Sequence, residues 1–187
     1  MALSSGPRKK IEILFNTIQI FIMKKMLLLL ALVISTSFYP EIQAETKIYN
    51  EVMKNGEQIF IEHGDKCLTI IEKAAQKLSI TGAAMIAFIP GDVSESWISK
   101  MKVIGRLADN EANFLAIAYA KAAEMAVTHE DSGNGEREDI TGEFGWQGGV
   151  IIKVDTGYLL GAFSGGTGQQ DADVAKEGLE WLSEKYR

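Results

Sequence analysis

The sequence predicts an α+β fold in which a single antiparallel sheet is flanked by helices, in the order α-β-β-α-β-β-α. Apolar residues recur at helical spacing in three segments, at 65–78, 111–127 and 170–185. Between the helices lie two pairs of short apolar runs, at 83–89 with 97–104 and at 150–154 with 158–164. Short turns join the members of each pair, which favours antiparallel hairpins and excludes the parallel units of a Rossmann fold. No internal repeat is visible.

The three predicted helices differ in character. The first has a mixed inner face formed by Leu68, Ile71, Ala75 and Leu78, and residues 45–64 before it either begin a helix or pack as an arm. The second is rich in alanine, so it is expected to approach a flat surface closely; its stripe comprises Phe114, Leu115, Ala118, Ala122 and Met125. The inner face of the third comprises Val174, Leu179, Trp181 and Leu182.

The second predicted strand carries its apolar side on Trp97, Met101 and Val103. In the third helix, Asp171 and Asp173 fall in the first turn, where the helix dipole favours negative charge. Residues 129–143 are polar, contain glycine and lack periodicity, so they are predicted to form a loop.

Charge separates the N-terminal segment from the rest of the chain. The protein has 187 residues and a formal net charge of −6, whereas residues 45–187 hold 14 basic and 23 acidic side chains. Such an acidic domain is unsuited to nucleic acid, because phosphate contacts require clustered Lys and Arg. We therefore expect no nucleic-acid partner.

Residues 23–44 have the three regions of a secretion signal. Lys24 and Lys25 are followed by an apolar run over 27–34, and Ala44 provides a small residue for cleavage. The run is short for a membrane span, although a retained anchor is the alternative. We therefore predict residues 1–44 to be an N-terminal extension with its signal core at 23–44, and residues 45–187 to be one exported domain. Translation beginning at Met23 rather than Met1 would explain the segment before the signal.

The glycine-rich turn Gly165-Gly166-Thr167-Gly168 is the first candidate binding site. It connects a strand to the start of a helix, where backbone N–H groups can hold an anion. It lacks the Lys-Ser/Thr of a P-loop. The alternative is a plain strand-to-helix turn with Thr167 near the helix cap.

The two histidines, His63 and His129, are the candidate metal ligands, and they would serve as axial ligands of haem iron. Solvated loop residues are the alternative for both. With only two histidines, a His-rich zinc site would need carboxylates or Cys67 as further ligands. No nucleophile elbow or paired cysteine motif is present, so an enzyme is less favoured than a binding module.

Three further groups have two interpretations each. Cys67 is either a small buried apolar residue or a site of intermolecular bridging or metal ligation. The acids of the predicted loop would either bind a cation or face solvent; they are Glu130, Asp131, Glu136, Glu138, Asp139 and Glu143. The aromatic residues Phe144, Trp146 and Trp181 are either core or part of a cofactor site.

The C-terminal half resembles the GlcG/HbpS family, also called DUF336 or the haem-degrading family. The residues that carry the resemblance are Gly148-Gly149 with 150–152, Asp155, the stretch 160–166 ending in Ser-Gly-Gly, Gln170-Asp171, and 175–179. The resemblance implies a profilin-like or PAS-like sandwich and assembly into a homo-oligomer. It also implies a small ligand such as haem or another tetrapyrrole and, for exported members, a membrane sensor as partner.

Two functions remain open at this point. The chain is either an exported small-ligand-binding module, with haem as the implied cofactor, or an oligomeric, cofactor-free partner of a membrane sensor or envelope complex. An enzyme acting through the glycine-rich turn ranks below both.

The secretion signal predicts the N-terminus of the mature protein. Edman sequencing of protein purified from its host should begin at Glu45, because cleavage after Ala44 removes the apolar run. A mature chain that begins at Met1 or Met23 would contradict the predicted cleavage.

Overall fold

The computed structural model describes residues 25, 47, 51, 55–135 and 137–187. The chain divides into residues 1–49 and 50–187, and the fold below is that of the second part. Apart from Lys25, the predicted secretion signal lies outside the described residues, as does Glu136 of the loop. No described helix has both the length and the apolar character needed to cross a membrane.

The elements follow the predicted order, which is confirmed. Helix α1 is described over residues 55–77. The elements after it are β1 (Gly82–Pro90), β2 (Ile98–Ile104), α2 (Phe114–Thr128), β3 (Gly149–Val154), β4 (Gly157–Ser164) and α3 (Gly168–Ser183), with a short 3-10 turn at Glu184–Tyr186.

The four strands form one antiparallel sheet in the order β2-β1-β4-β3. Each hairpin pairs strands that are adjacent in sequence, and β1 joins the hairpins by pairing with β4. In this register Ala83 lies opposite Ser164, so the last residue of β4 and the start of β1 are side by side at the same end of the strands. The glycine-rich turn that follows β4 begins at this end of the sheet.

Alternation along the strands produces two cores, one on each face of the sheet. Helices α1 and α3 cover the first face, where Ile86, Leu159 and Phe163 are buried. Helix α2 covers the second face, where Ala118 and Ala122 pack on Met85 and Leu160 among others. The expectation that the alanine-rich helix approaches a flat surface is confirmed.

Helix α1 includes residues 55–64, which the sequence left open between a helix and an arm. Its buried stripe continues backward from Ile71 through Cys67 and Gly64 to Phe60, which is 1% exposed. A glycine in the stripe obscured the pattern, because Gly64 is buried without adding a hydrophobic side chain. Leu78, expected on the inner face, is 43% exposed and lies just beyond the helix.

The predicted apolar side of β2 was wrong for two residues. Met101 and Val103 are 38% and 42% exposed. Helix α2 packs mainly against the other three strands and contacts this edge strand at Ser99, whose hydroxyl oxygen lies 3.1 Å from that of Tyr119. The opposite side carries Lys100 and Lys102, and each forms an ion pair with an acidic residue of α1. Only Trp97 of the predicted set packs against the α2 core.

Candidate functional site

The glycine corner, defined here as residues 164–168, links β4 to α3. Thr167 is the helix cap: its hydroxyl accepts a hydrogen bond from the N–H of Gln170 at 3.3 Å. The Gln170 side chain in turn accepts a hydrogen bond from the N–H of Thr167 at 3.0 Å. This reciprocal arrangement is a capping box, so Thr167 serves the helix start.

The corner already holds an anion that belongs to the protein. The N–H of Gly166 donates to Oδ1 of Asp171 at 2.8 Å. Asp171 is 3% exposed, whereas the sequence placed it only as a charge in the first helical turn. A bound anion therefore could not use this N–H unless Asp171 moved away.

Lys121 of α2 is the partner of Asp171. Its ammonium group donates to Oδ2 of Asp171 at 2.9 Å and to the carbonyl oxygen of Phe163 at 2.7 Å. Lys121 is only 4% exposed. This ion pair joins α2, the end of β4 and the start of α3 at one point.

Burial is the main influence on both charges of the pair. It raises the pKa of Asp171 from its ordinary value, against the opposing effects of Lys121 and of the Gly166 and Gly165 N–H groups. It lowers the pKa of Lys121, against the opposing effect of the Asp171 charge. Each group is thus held in a less favourable setting for its charge than water provides.

Glycine is required at two positions around the ion pair, for different reasons. A Cβ on Gly148 would collide with Nζ of Lys121, and the positive φ of Gly148, 119°, favours glycine there independently. A Cβ on Gly165 would collide with the carbonyl oxygen of Thr81. Gly148 therefore leaves room for the Lys121 ammonium group, and Gly165 lets the corner pass close to the backbone of Thr81.

A cleft of about 470 Å³ opens above the ion pair. Lys121 and Asp171 both line it, together with the backbone of Gly165, Gly166 and Gly168. Its further lining includes Phe114 and Ile117 of α2 and Trp146 and Gln147 of the loop before β3. Three of the four predicted ligand-binding residues thus line one cleft, and Thr167 is the cap beside it.

Phe144 and Trp146 are not core residues. They stack on each other with ring centroids 4.9 Å apart and are 53% and 48% exposed. Gly142, Gly145 and Gly148, which lie before, between and after these two residues, all have positive φ. Trp146 lines the cleft. The half-buried Trp181 instead packs against the core between α1, α3 and the sheet.

The loop from 129 to 143 contains no helix or strand among its described residues, as predicted. It is fastened to α2 by buried Glu124, whose Oε1 accepts a hydrogen bond from the N–H of Gly133 at 2.7 Å. Asp131 accepts from the N–H of Ile151, and Glu143 pairs with Arg137. In the described part of the chain, no three His, Cys, Asp or Glu side chains are grouped to hold a metal ion.

The structure does not bring the two candidate histidines together. His63 lies within α1, not before it. Its ring and that of Trp181 are arranged edge to face, with centroids 6.1 Å apart. His129 ends α2 in a left-handed conformation and stacks on Tyr158 at 4.3 Å. These positions are on opposite faces of the sheet, and neither histidine lines the cleft. Their use as metal ligands stays a prediction.

Cys67 is fully buried in the core between α1, α3 and the sheet. Burial raises the pKa of its thiol to about 12, so the thiolate is strongly disfavoured. The position agrees with the interpretation of Cys67 as a small apolar residue.

Lys121 is the main site residue that sequence reasoning missed. It occurs three residues after Ala118 and four before Met125, so helical periodicity places it on the buried stripe. A charged residue on an apolar stripe requires a buried partner. The position of Lys121 on the apolar stripe and the presence of Asp171 shortly after the glycine-rich turn were the sequence signals for this ion pair.

Removing one member of the ion pair should destabilise the fold strongly. Lys121→Met is expected to reduce the free energy of unfolding by about 3–5 kcal/mol, because it leaves a buried carboxylate without its cation. The double variant Lys121→Met/Asp171→Asn should recover much of this loss, since no charge remains and Asn still accepts from Gly166. Urea denaturation of both single variants and the double variant measures the coupling, and simple additivity would contradict it.

The same variants test the pKa directions. The unfolded chain releases the Asp171 proton at about pH 3.8, whereas the native protein keeps it to a higher pH because its pKa is raised. Stability should therefore fall as pH rises from 3.8 to the native pKa of Asp171. Below pH 10.5, the native protein releases the Lys121 proton that the unfolded chain keeps, so stability should rise with pH there. The double variant should lack both slopes.

Comparison with known proteins gave matches among solved structures alone. No protein-family model and no curated protein matches the chain. Protein ORFY of Klebsiella pneumoniae, described under the family model DUF336, is 18% identical with a TM-score of 0.43 and covers 65% of this chain and 88% of its own. The protein Ybr137w is 14% identical with a TM-score of 0.45, covering 74% of this chain and 96% of its own.

HbpS is 17% identical with a TM-score of 0.38 and covers 65% of this chain and 87% of its own. The chain resembles the GlcG/HbpS (DUF336) family in its glycine-rich C-terminal residues, and ORFY and HbpS are among its structural neighbours.

Proposed function

We propose that this chain is a binding module for a small ligand, held in the cleft above Lys121 and Asp171. The observation that carries the proposal is the cleft itself. Its volume of about 470 Å³ lies within the range usual for ligand sites, about 300–1,000 Å³. A few polar groups at the floor and apolar side chains around them are the usual composition of such a site.

The lining favours a flat ligand that bears an oxygen acceptor. Phe114, Ile117 and Trp146 offer apolar and aromatic surface. Two acceptors are identified for the Lys121 ammonium, which has three N–H donors, so one donor remains to meet a ligand oxygen. A carboxylate or carbonyl oxygen on a planar ring system fits both features.

Haem is one ligand of this class, and the family resemblance implies it. The apolar wall suits a porphyrin ring, and Lys121 would meet a propionate. No histidine is among the residues that line the cleft, so the cleft supplies no imidazole to the iron. We therefore propose the coarser class, a planar ligand with an acidic or carbonyl group, and treat a tetrapyrrole as the first candidate to test.

Export belongs to the same proposal. The secretion signal predicted at 23–44 would place the module outside the cytoplasm, where it would collect its ligand or present it to a membrane sensor. The sequence pattern alone supports this location.

Haemin titration of the mature protein tests the ligand. We expect a Soret shift that saturates, and we expect Trp146→Ala to weaken binding by about tenfold, because it removes an aromatic wall worth about 1–2 kcal/mol. Ile140→Ala is the matched control, since Ile140 is 57% exposed in the same loop and does not line the cleft.

Variants of the histidines complete this experiment. If the cleft is the site, His63→Ala and His129→Ala should retain the Soret shift. If either histidine variant loses the Soret shift while Trp146→Ala binds haemin as the parent does, haem does not bind in the cleft. Absence of any Soret shift in the parent protein would remove haem from the ligand class.

An oligomeric partner protein is the second candidate function, and β2 favours it. This strand is at the edge of the described sheet and exposes Met101 and Val103, with Leu107 nearby in sequence at 42% exposed. Exposed apolar side chains on an unpaired edge are typical of an interaction surface. We propose a second copy of this chain as the occupant.

Light scattering tests this second candidate. The parent protein should give the mass of a dimer or larger, and Met101→Lys/Val103→Lys should shift it toward the monomer by placing charges on the contact. Lys176→Glu, at an α3 side chain that is 60% exposed, is the control variant. A monomer at high concentration would count against self-association.

A further inference from the structure

Lys121 is set apart from every other lysine that the structure describes. It alone among them is buried, at 4% exposed, whereas the rest are half-buried or exposed. The side chains of Lys77, Lys153 and Lys176 are 69%, 64% and 60% exposed in their ion pairs. The buried amine nevertheless lines an open cleft, so a small molecule in that cleft would lie against it.

The neighbour of this amine is a group that can take and return a proton. Oδ2 of Asp171 is 2.9 Å from Nζ of Lys121, within direct proton-transfer distance. Asp171 lines the same cleft and is held in place by Gly166. A lysine amine removed from water beside apolar side chains is a setting in which lysines react with carbonyl compounds. Here the carboxylate of Asp171 lies beside that amine and can accept its proton.

We propose that Lys121 is a nucleophilic lysine that forms a reversible imine with an aldehyde or ketone bound in the cleft, with Asp171 as its proton carrier. The proposal rests on the proposed function in one respect, that the cleft admits a small ligand. It adds a covalent step and a chemical class, a carbonyl compound with a flat apolar body that fits against Phe114 and Trp146.

The step balances within the residues present. The ammonium of Lys121 transfers one proton to Asp171, and the free amine adds to the carbonyl carbon to form a carbinolamine. The carboxylic acid of Asp171 returns its proton to the departing hydroxyl group, water leaves, and a C=N bond joins Nζ to the ligand. Hydrolysis reverses each step, and no oxidant or reductant is consumed.

Burial supports the availability of the amine. Removal from water lowers the pKa of Lys121 as the largest influence on it, which increases the fraction of free amine relative to an exposed lysine. The same burial raises the pKa of Asp171, which favours its accepting the proton. Both directions act toward the neutral pair that the first step requires.

Reductive trapping on the unaltered mature protein tests the proposal. The protein is incubated near neutral pH with limiting benzaldehyde and sodium cyanoborohydride, which fixes an imine as a benzylamine, and the modified lysines are mapped by peptide mass spectrometry. Lys121 should carry the benzyl group several-fold more often than Lys153 or Lys176. Modification of the exposed lysines with Lys121 untouched would overturn the proposal.

Two controls make the result specific to the fold. In urea the preference for Lys121 should disappear, because its burial and its neighbour Asp171 are lost. Lys121→Arg retains a cation and cannot form the imine, so it should lose the preferred label while Lys153 and Lys176 react as before. If Lys121→Arg does not fold, the labelling of Lys121 in the parent protein with and without urea still tests the proposal.

The two proposals fail separately. Haemin binding without a label on Lys121 would reject the imine and leave the binding module standing. A preferred label on Lys121 without a Soret shift would reject haem and retain both the cleft and its reactive amine.

Discussion

The buried ion pair between Lys121 and Asp171 is the constraint on which the rest of the site depends. Removing two charges from water costs several kcal/mol for each ion, and the attraction between them offsets this only when other hydrogen bonds complete the pair. Here the carbonyl oxygen of Phe163 and the N–H of Gly166 provide those bonds. Because these contacts come from α2, β4 and α3, the pair determines how the three elements meet.

The glycines around the pair follow from this constraint. The ammonium group lies so close to Gly148 that any side chain there would displace it. The backbone must also turn sharply after β4 to bring Gly166 to Asp171, and the positive φ of Gly165, 145°, makes that turn accessible. The glycine-rich pattern is therefore best explained as space and curvature around an internal salt bridge. The cleft is what remains open above it.

Most of the fold was predictable from local patterns, and the errors have physical causes. Strands β1, β3 and β4 and helix α3 came out within about two residues of the expected bounds, since apolar runs bounded by glycine or proline are local features. Helix α1 was predicted too short because Gly64 hides one position of its stripe. The exposure of Met101 and Val103 on β2 was not predicted, because no local pattern shows that α2 packs mainly on the other strands or that acidic residues of α1 pair with the lysines of β2.

The sequence by itself determined the order of the elements, the two hairpins and the glycine-rich turn that leads from β4 into α3. All of these depend on periodicity and turn residues within a few positions of one another. Only the tertiary structure decided that Asp171 occupies the corner as the partner of Lys121, that Trp146 lines a cleft and that His63 and His129 lie apart. A charge is stable inside a protein only beside its counter-charge, and here fifty positions of sequence separate the two.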